Sequence, residues 1–350
     1  MKKIINALLA FTAFAFLSPA FALEGESIVF NPATGNYLIT YLSSRDDKLH
    51  QITFIPATKI NPTIKMKLKL EQEGIVHYRY TLISGRNSQQ VIVNILLDPV
   101  SSVQTPMPDI PLKAPPGKIM GDMMAAANYF DRPALWHPML AYSDSQVSFR
   151  AGWYYDSDTG GLAPGGKADF GFKSRDLPGI IHAEVEGYAP DSQEIPGEET
   201  QNAKDGGFGQ QYTELVSKKN FVLRNVAAPT IAVPVPFDPA VTLERIQTQM
   251  HTWIGMSLLD ATFSTQLDRY FQSAISAYRL NQPKVGKKQI QTMRELLKKE
   301  HADADREDDR DEQGDEGDKT KRAMIDRLAA RVLDFDLKYV TKRTGGSKDD

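Results

Sequence analysis

PGGKADFGFKSRDLPGII, Pro164 to Ile181, sets two Pro-Gly corners around a short run in which Phe170 and Phe172 alternate with polar residues. Such a glycine-rich segment is either a cradle for an anionic group or a hairpin of a β-domain. A phosphate cradle needs a helix directly after it, so that the helix's first free amides point at the anion. Here a second alternating run follows instead. The stretch therefore reads as turn, strand and turn: Pro164-Gly165-Gly166, then Phe170 and Phe172 as knobs into a core, then Leu177-Pro178-Gly179.

The same period of two extends outward. NYLITYL (Asn36 to Leu42), KMKLKL (Lys65 to Leu70) and HYRYTLI (His77 to Ile83) place apolar residues at alternate positions, predicting strands with one buried face. VIVNILL (Val91 to Leu97) is nearly all apolar and reads as a central strand. VSFRAGWYY (Val147 to Tyr155), IIHAEVEGY (Ile180 to Tyr188) and FVLRNV (Phe221 to Val226) continue the series, with turn signals such as Pro116-Gly117 and Thr159-Gly160-Gly161 between strands. Many short strands with no helices alternating between them predict an antiparallel β-sandwich over residues 23–226. Lys118 to Tyr142 interrupts the rhythm and reads as a short helix or a folded-over loop, and Pro190 to Phe208 as a loop.

The composition changes after Val226. Pro229, Pro234, Pro236 and Pro239 remove backbone donors and predict an extended linker over 227–239, with Asp238 capping a helix that opens on Pro239. The period then becomes helical. Leu243, Ile246, Met250, Trp253 and Ile254 form one apolar stripe; Phe263, Leu267, Tyr270, Phe271, Ala274 and Tyr278 a second. Ile290, Met293, Leu296 and Leu297 form a third, and Ile325, Leu328, Val332, Phe335 and Tyr339 a fourth. Four such stripes can bury one another, so a small antiparallel helical bundle is expected over 240–343, ahead of a disordered tail at 344–350. The fold class expected is thus β plus α and multidomain.

Charge is concentrated in one place. Asp303 to Asp318 holds ten acids and two arginines, a net of −8 in a chain whose total is −3. Nothing apolar in it repays ordering, so 302–320 reads as a solvated acidic loop within the helical part. No basic stretch interleaved with aromatics appears, which argues against a nucleic-acid partner.

The N-terminus places Lys2 and Lys3 before an apolar run from Ile4 to Leu17 and the small-residue triplet Ala20-Phe21-Ala22. This is the pattern of a signal peptide over 1–22, and it predicts an exported protein, periplasmic or secreted. No other stretch approaches the length of a membrane span. With no cysteine in the sequence, disulfides, thiolate metal sites and cysteine nucleophiles are excluded.

GLAPGGKADFGFKSRDLPGIIHAEVEG (Gly161 to Gly187) resembles the APG turn, GFxF strand and S-x-x-LPG turn of β-sandwich domains in exported bacterial proteins. HYRYTLISGRNSQQVIVNILL (His77 to Leu97) resembles the same domains. LDRYFQSAISAYRLNQPKVGKKQIQTMRELLKK (Leu267 to Lys299) more weakly resembles the helical FIMAH-type module found at the ends of such proteins. These resemblances imply a fold and an exported location, and no catalytic residues.

Catalytic motifs do not appear. There is no G-x-S-x-G elbow, H-E-x-x-H helix, S-x-x-K motif or Walker loop, and the six histidines are far apart in sequence. Glu184 and Glu186 are the most tempting carboxylate pair for glycoside chemistry, but alternation with Ile181, Ala183 and Val185 makes them the wet face of a strand. Asp156 and Asp158 in DSDTGG, and Asp309, Asp311 and Asp315 in DRDEQGDEGDKT, space carboxylates as a calcium loop does. A plain hairpin turn is the stronger reading of the first, and the second ends on Thr320, which supplies no bidentate carboxylate. Calcium is the only cofactor suggested.

Flat rings with a polar handle suit sugars and peptides, which makes GWYY (Gly152 to Tyr155), Tyr129 and Trp136 candidate ligand-binding aromatics. Within GWYY, alternation with Phe149 and Ala151 sends Trp153 and Tyr155 to the core, and Trp253 falls on a helical core stripe. Tyr129 and Trp136 are left as the leading pair. The function expected first is a non-enzymatic binding protein taking a protein, peptide or carbohydrate. The alternatives are a hydrolase with a carboxylate pair beside Trp136 or Trp153 in the 118–155 region, and a calcium-dependent structural protein.

Overall fold

The computed structural model describes residues 25–43, 46–104, 128–142, 149–156, 160–188, 208–217, 221–300 and 324–345. The expected signal peptide at 1–22, the acidic loop at 302–320 and nearly all of the loop read at 190–208 lie outside them. The described residues divide into two compact units, 25–56 with 208–217, and 57–188 with 221–345. Three antiparallel sheets and five helices make up the described structure.

The smaller unit is a meander of β1 (Ser27–Asn31), β2 (Asn36–Ser43) and β3 (Lys48–Phe54). Its first turn closes on Asn31, whose side-chain oxygen accepts from the Ala33 amide at 3.0 Å, and Gly35 takes the positive φ of 68° that the turn needs. Ile39, Tyr41 and Phe54 share one face and pack with Phe208 and Tyr212 of helix α1 (Phe208–Ser217). Periodicity alone groups Asn36 to Leu42 with all the other strands. The strand belongs instead to a sheet with its own small core, and helix α1, which covers that core, has no counterpart among the sequence expectations.

In the larger unit, β4 (Pro62–Leu70), β5 (Val76–Ser84) and β9 (Lys167–Ser174) form a three-stranded sheet in the order β4-β5-β9. A five-stranded sheet has the order β11-β10-β6-β8-β7, from β6 (Ile92–Val100), β7 (Trp136–Tyr142), β8 (Phe149–Tyr155), β10 (Leu177–Gly187) and β11 (Phe221–Ile231). Aromatic rings join the two sheets. Trp153 of β8 lies 5.9 Å from Tyr80 of β5 and 5.1 Å from Phe170 of β9, with Phe172 and Phe130 against the same indole. Phe170, Phe172, Trp153, Phe149 and Ala151 are all buried, as their alternation predicts.

Three boundaries differ from expectation. Trp136 to Tyr142, read as part of an irregular insertion, is a strand; its Pro138 hides the signal, and the strand tolerates that proline because it lies at a sheet edge. Leu177-Pro178-Gly179, read as a turn, is the start of β10, and the turn itself is Arg175-Asp176. That turn is held by Asp176, whose carboxylate accepts from the Ser101 and Ser102 hydroxyls at 2.6 and 2.7 Å and from the Val233 amide at 3.2 Å. The expected linker at 227–239 begins inside β11, which runs to Ile231 with Ala227 and Ala228 buried.

Four helices follow: α2 (Pro239–Gly255), α3 (Ala261–Arg279), α4 (Pro283–Glu300) and α5 (Arg327–Thr344). The last of these takes in Thr344, the first residue of the expected tail, and 346–350 lie outside the described residues. Helix α2 packs on α3 and α5, and α4 packs on α3 and α5. Leu243, Ile246, Met250 and Trp253 are buried as their stripe predicts, while Ile254 is exposed. Helices α2 and α5 also rest on β10 and β11, so the apolar interiors of helices and sheets form one continuous core. The helical part is therefore not set apart from the strands by a spacer. Among the described residues no helix is long and apolar enough to cross a membrane.

Candidate functional site

Alternation gives the five-stranded sheet two unlike faces. Ile95, Leu97, Ala151, Trp153, Ala183 and Val185 point into the core. The opposite set along β10 is His182, Glu184 and Glu186, and along β8 it includes Tyr154.

The register then aligns these outward groups across strands. Phe221 of β11 faces Glu186 of β10, Glu186 faces Asn94 of β6, Asn94 faces Tyr154 of β8, and Tyr154 faces His137 of β7. Strands lie about 4.8 Å apart, so this row is roughly 19 Å long. Its members touch in pairs. Asn94 Nδ2 donates to Glu186 Oε2 at 3.3 Å, and the His137 ring stacks on Tyr154 with centroids 5.5 Å apart and planes 30° from parallel. Tyr154 keeps 41 % of its surface exposed.

The next row, Leu223, Glu184, Leu96, Gly152 and Met139, is more apolar. Glycine is required at Gly152, because a Cβ there would stand 2.5 Å from the Ile95 carbonyl oxygen. Leu96 and Gly152 are both buried, so on this row only Leu223 of the five stands exposed.

Glu184 and Glu186 do lie on the outward face, yet they are half-buried rather than fully wet. Burial raises the Glu186 carboxyl above the ordinary carboxylate range, the hydrogen bond from Asn94 opposes the rise, and the charge of Glu184 adds to it. A carboxyl held this way, an amide and an imidazole offer both donors and acceptors to a hydroxylated ligand, beside an aromatic platform.

The candidate residues read from sequence fall differently. Trp136 is only 3 % exposed and meets Phe170 and Tyr155 edge-on, so it is a core residue and not a ligand platform. The burial follows from the strand that places Trp136 opposite Tyr155. Tyr129 is exposed. Asp156 is exposed too, with His137 Nε2 3.5 Å from its carboxylate, at the β7 end of the row. Asp158, Asp309, Asp311 and Asp315 lie outside the described residues. Among the described residues, no three histidine, aspartate or glutamate side chains gather as metal ligands would.

Tyr154 is the ring of GWYY that alternation leaves outward, opposite the buried Trp153, and that much is readable in the sequence. Asn94 and His137 carry no such signal, because only the register lines them up with Tyr154 and Glu186. No family model, no curated protein and no solved structure matches this chain.

Proposed function

We propose that the protein is an exported, non-enzymatic binding protein, a β-sandwich followed by a helical bundle, that holds a carbohydrate chain on the outward face of its five-stranded sheet. The row Glu186, Asn94, Tyr154, His137 carries this reading. It sets hydrogen-bonding groups and a stacked ring pair in one line on four adjacent strands, a rigid base that needs little ordering on binding. The signal-peptide pattern and the resemblance of Gly161 to Gly187 to exported sandwich domains support the location. The hydrolase alternative loses its platform, since Trp136 and Trp153 are both buried.

Glycan-array screening of the purified chain, followed by calorimetry on the best ligand, tests the proposal. Tyr154→Ala is expected to weaken binding about tenfold, near 1.4 kcal/mol, and Glu186→Gln to weaken it by a similar factor. Retention of no glycan above background, or unchanged affinity in both variants, overturns the reading.

A further inference from the structure

The outward face of the three-stranded sheet is built from different side chains. Along KMKLKL, Met66, Leu68 and Leu70 pack against the core, while Lys65, Lys67 and Lys69 stand exposed on the other side of β4. Register brings more cations beside them. Lys67 faces Arg79 of β5, and Lys167 and Lys173 of β9 lie on the same side. Six exposed cations, Lys65, Lys67, Lys69, Arg79, Lys167 and Lys173, therefore share this face with one acid of its strands, Asp169. Lys69 to Lys65 spans about 13 Å along the strand, and the three strands span about 10 Å across.

At one end the face is differently built. His77 Nε2 lies 2.7 Å from Asp131 Oδ2, and Lys173 Nζ lies 2.7 Å from Glu71 Oε2. Glu71 pairs with one of the six cations and Asp131 adds a second carboxylate at this edge, so the charge excess lies over the middle. An open hollow of about 690 Å³ beside Lys69, lined by Leu70, Glu71, Gln72, Glu73 and Ile75, adjoins it.

A stability role explains only part of the pattern. Lysines on β4 protect a sheet edge from pairing with another chain. Arg79, however, sits on the central strand, directly opposite Lys67, and like charges so placed destabilise a sheet. Neither Lys67 nor Arg79 has an ion-pair partner among the described residues.

We propose that this face binds an anionic polysaccharide, its carboxylate or sulfate groups lying across Lys67, Arg79 and their neighbours. Charge complementarity points to a polyanion. The side chains between the cations choose its kind. Thr63 offers an exposed hydroxyl to a sugar chain, while the Thr81 hydroxyl already donates to Asp169, and no aromatic ring but the buried His77 lies on this side of the strands to stack a nucleobase. The one apolar side chain among them, Ile83, is half-buried and gives a bilayer no anchor.

The test uses the full chain with polygalacturonate as the anionic probe, dextran as the neutral one, and a single-stranded oligonucleotide and anionic phospholipid vesicles as competitors for the assignment. Polygalacturonate should bind and dextran should not at this face, and binding should fall about tenfold or more as salt rises from about 50 to about 200 mM. Lys67→Gln with Arg79→Gln should reduce affinity at least tenfold, and Lys67→Arg with Arg79→Lys should retain it. Should the first pair unfold the chain, Lys69→Gln with Lys167→Gln at the two ends gives the same readout. No binding of polygalacturonate, unchanged affinity in a folded charge-removing variant, or tighter binding of the oligonucleotide or the vesicles overturns the proposal.

Discussion

Asp336 lies in the middle of α5 with none of its surface exposed, and neither carboxylate oxygen has a hydrogen-bond partner among the described residues. Tyr78 and Tyr80 are as deeply buried, but their hydroxyls donate to the Asp176 and Ala227 carbonyls at 2.8 and 3.0 Å. Burial holds the Asp336 carboxyl well above its ordinary value of 3.8, because the charged form has no compensation there. The sign of the consequence follows from proton counts. Between the unfolded and folded pKa values the native state binds the extra proton, so stability is full below about pH 4 and declines as pH rises through the folded pKa. The slope reaches about 1.4 kcal/mol per pH unit at most. Asp336→Asn removes this titration. Urea midpoints measured from about pH 4 to 8 should converge for the two proteins in acid and diverge in favour of the variant at neutral pH, and parallel curves would refute the assignment.

At the scale of elements, α2, α3 and α5 begin with the same device. Asp238, Asp260 and Asp326 each stand just before the first turn and accept from its free amides; Asp238 Oδ1 takes the Ala240 and Val241 amides at 2.8 and 3.1 Å, with Pro239 supplying the fixed φ. Asp238→Ala should cost about 1 kcal/mol, and Asp238→Asn or Asp238→Ser should recover most of it in denaturant titrations. This start signal is legible at Asp238 because the cap, the proline and the apolar stripe all agree. The strands are legible by the same logic where one face is buried: Phe170 and Phe172, or Tyr78 and Tyr80, alternate cleanly. Legibility fails where two signals conflict. Pro138 masks an edge strand, Pro229 suggests a linker where β11 continues, and Trp136 looks like an exposed ring until its strand is recognised. The outward rows are hidden for a different reason. Glu186, Asn94, Tyr154 and His137 are far apart in sequence, and only strand order and register make them neighbours.

At the scale of the larger unit, the two-sheet stack presents opposite chemistries on its two outer sides. One carries half-buried carboxyls, an amide and a stacked ring pair, and the other a block of lysines and Arg79. The aromatic core between them, with Trp153, Tyr80, Phe170 and Phe172 in mutual contact, separates the two faces without any shared side chain. Substitutions on groups with no common partner add independently. Tyr154→Ala should therefore weaken a neutral glycan and leave polygalacturonate affinity and its salt dependence within about twofold, while Lys67→Gln with Arg79→Gln should do the reverse. The combined variant should show both losses at their single-variant sizes. The salt dependence separates the two modes further, because screening acts strongly on an exposed array of charges and weakly on stacking and neutral hydrogen bonds. If either substitution set moved both affinities together, one ligand chain would be engaging both faces, and a single binding surface would have to replace the two.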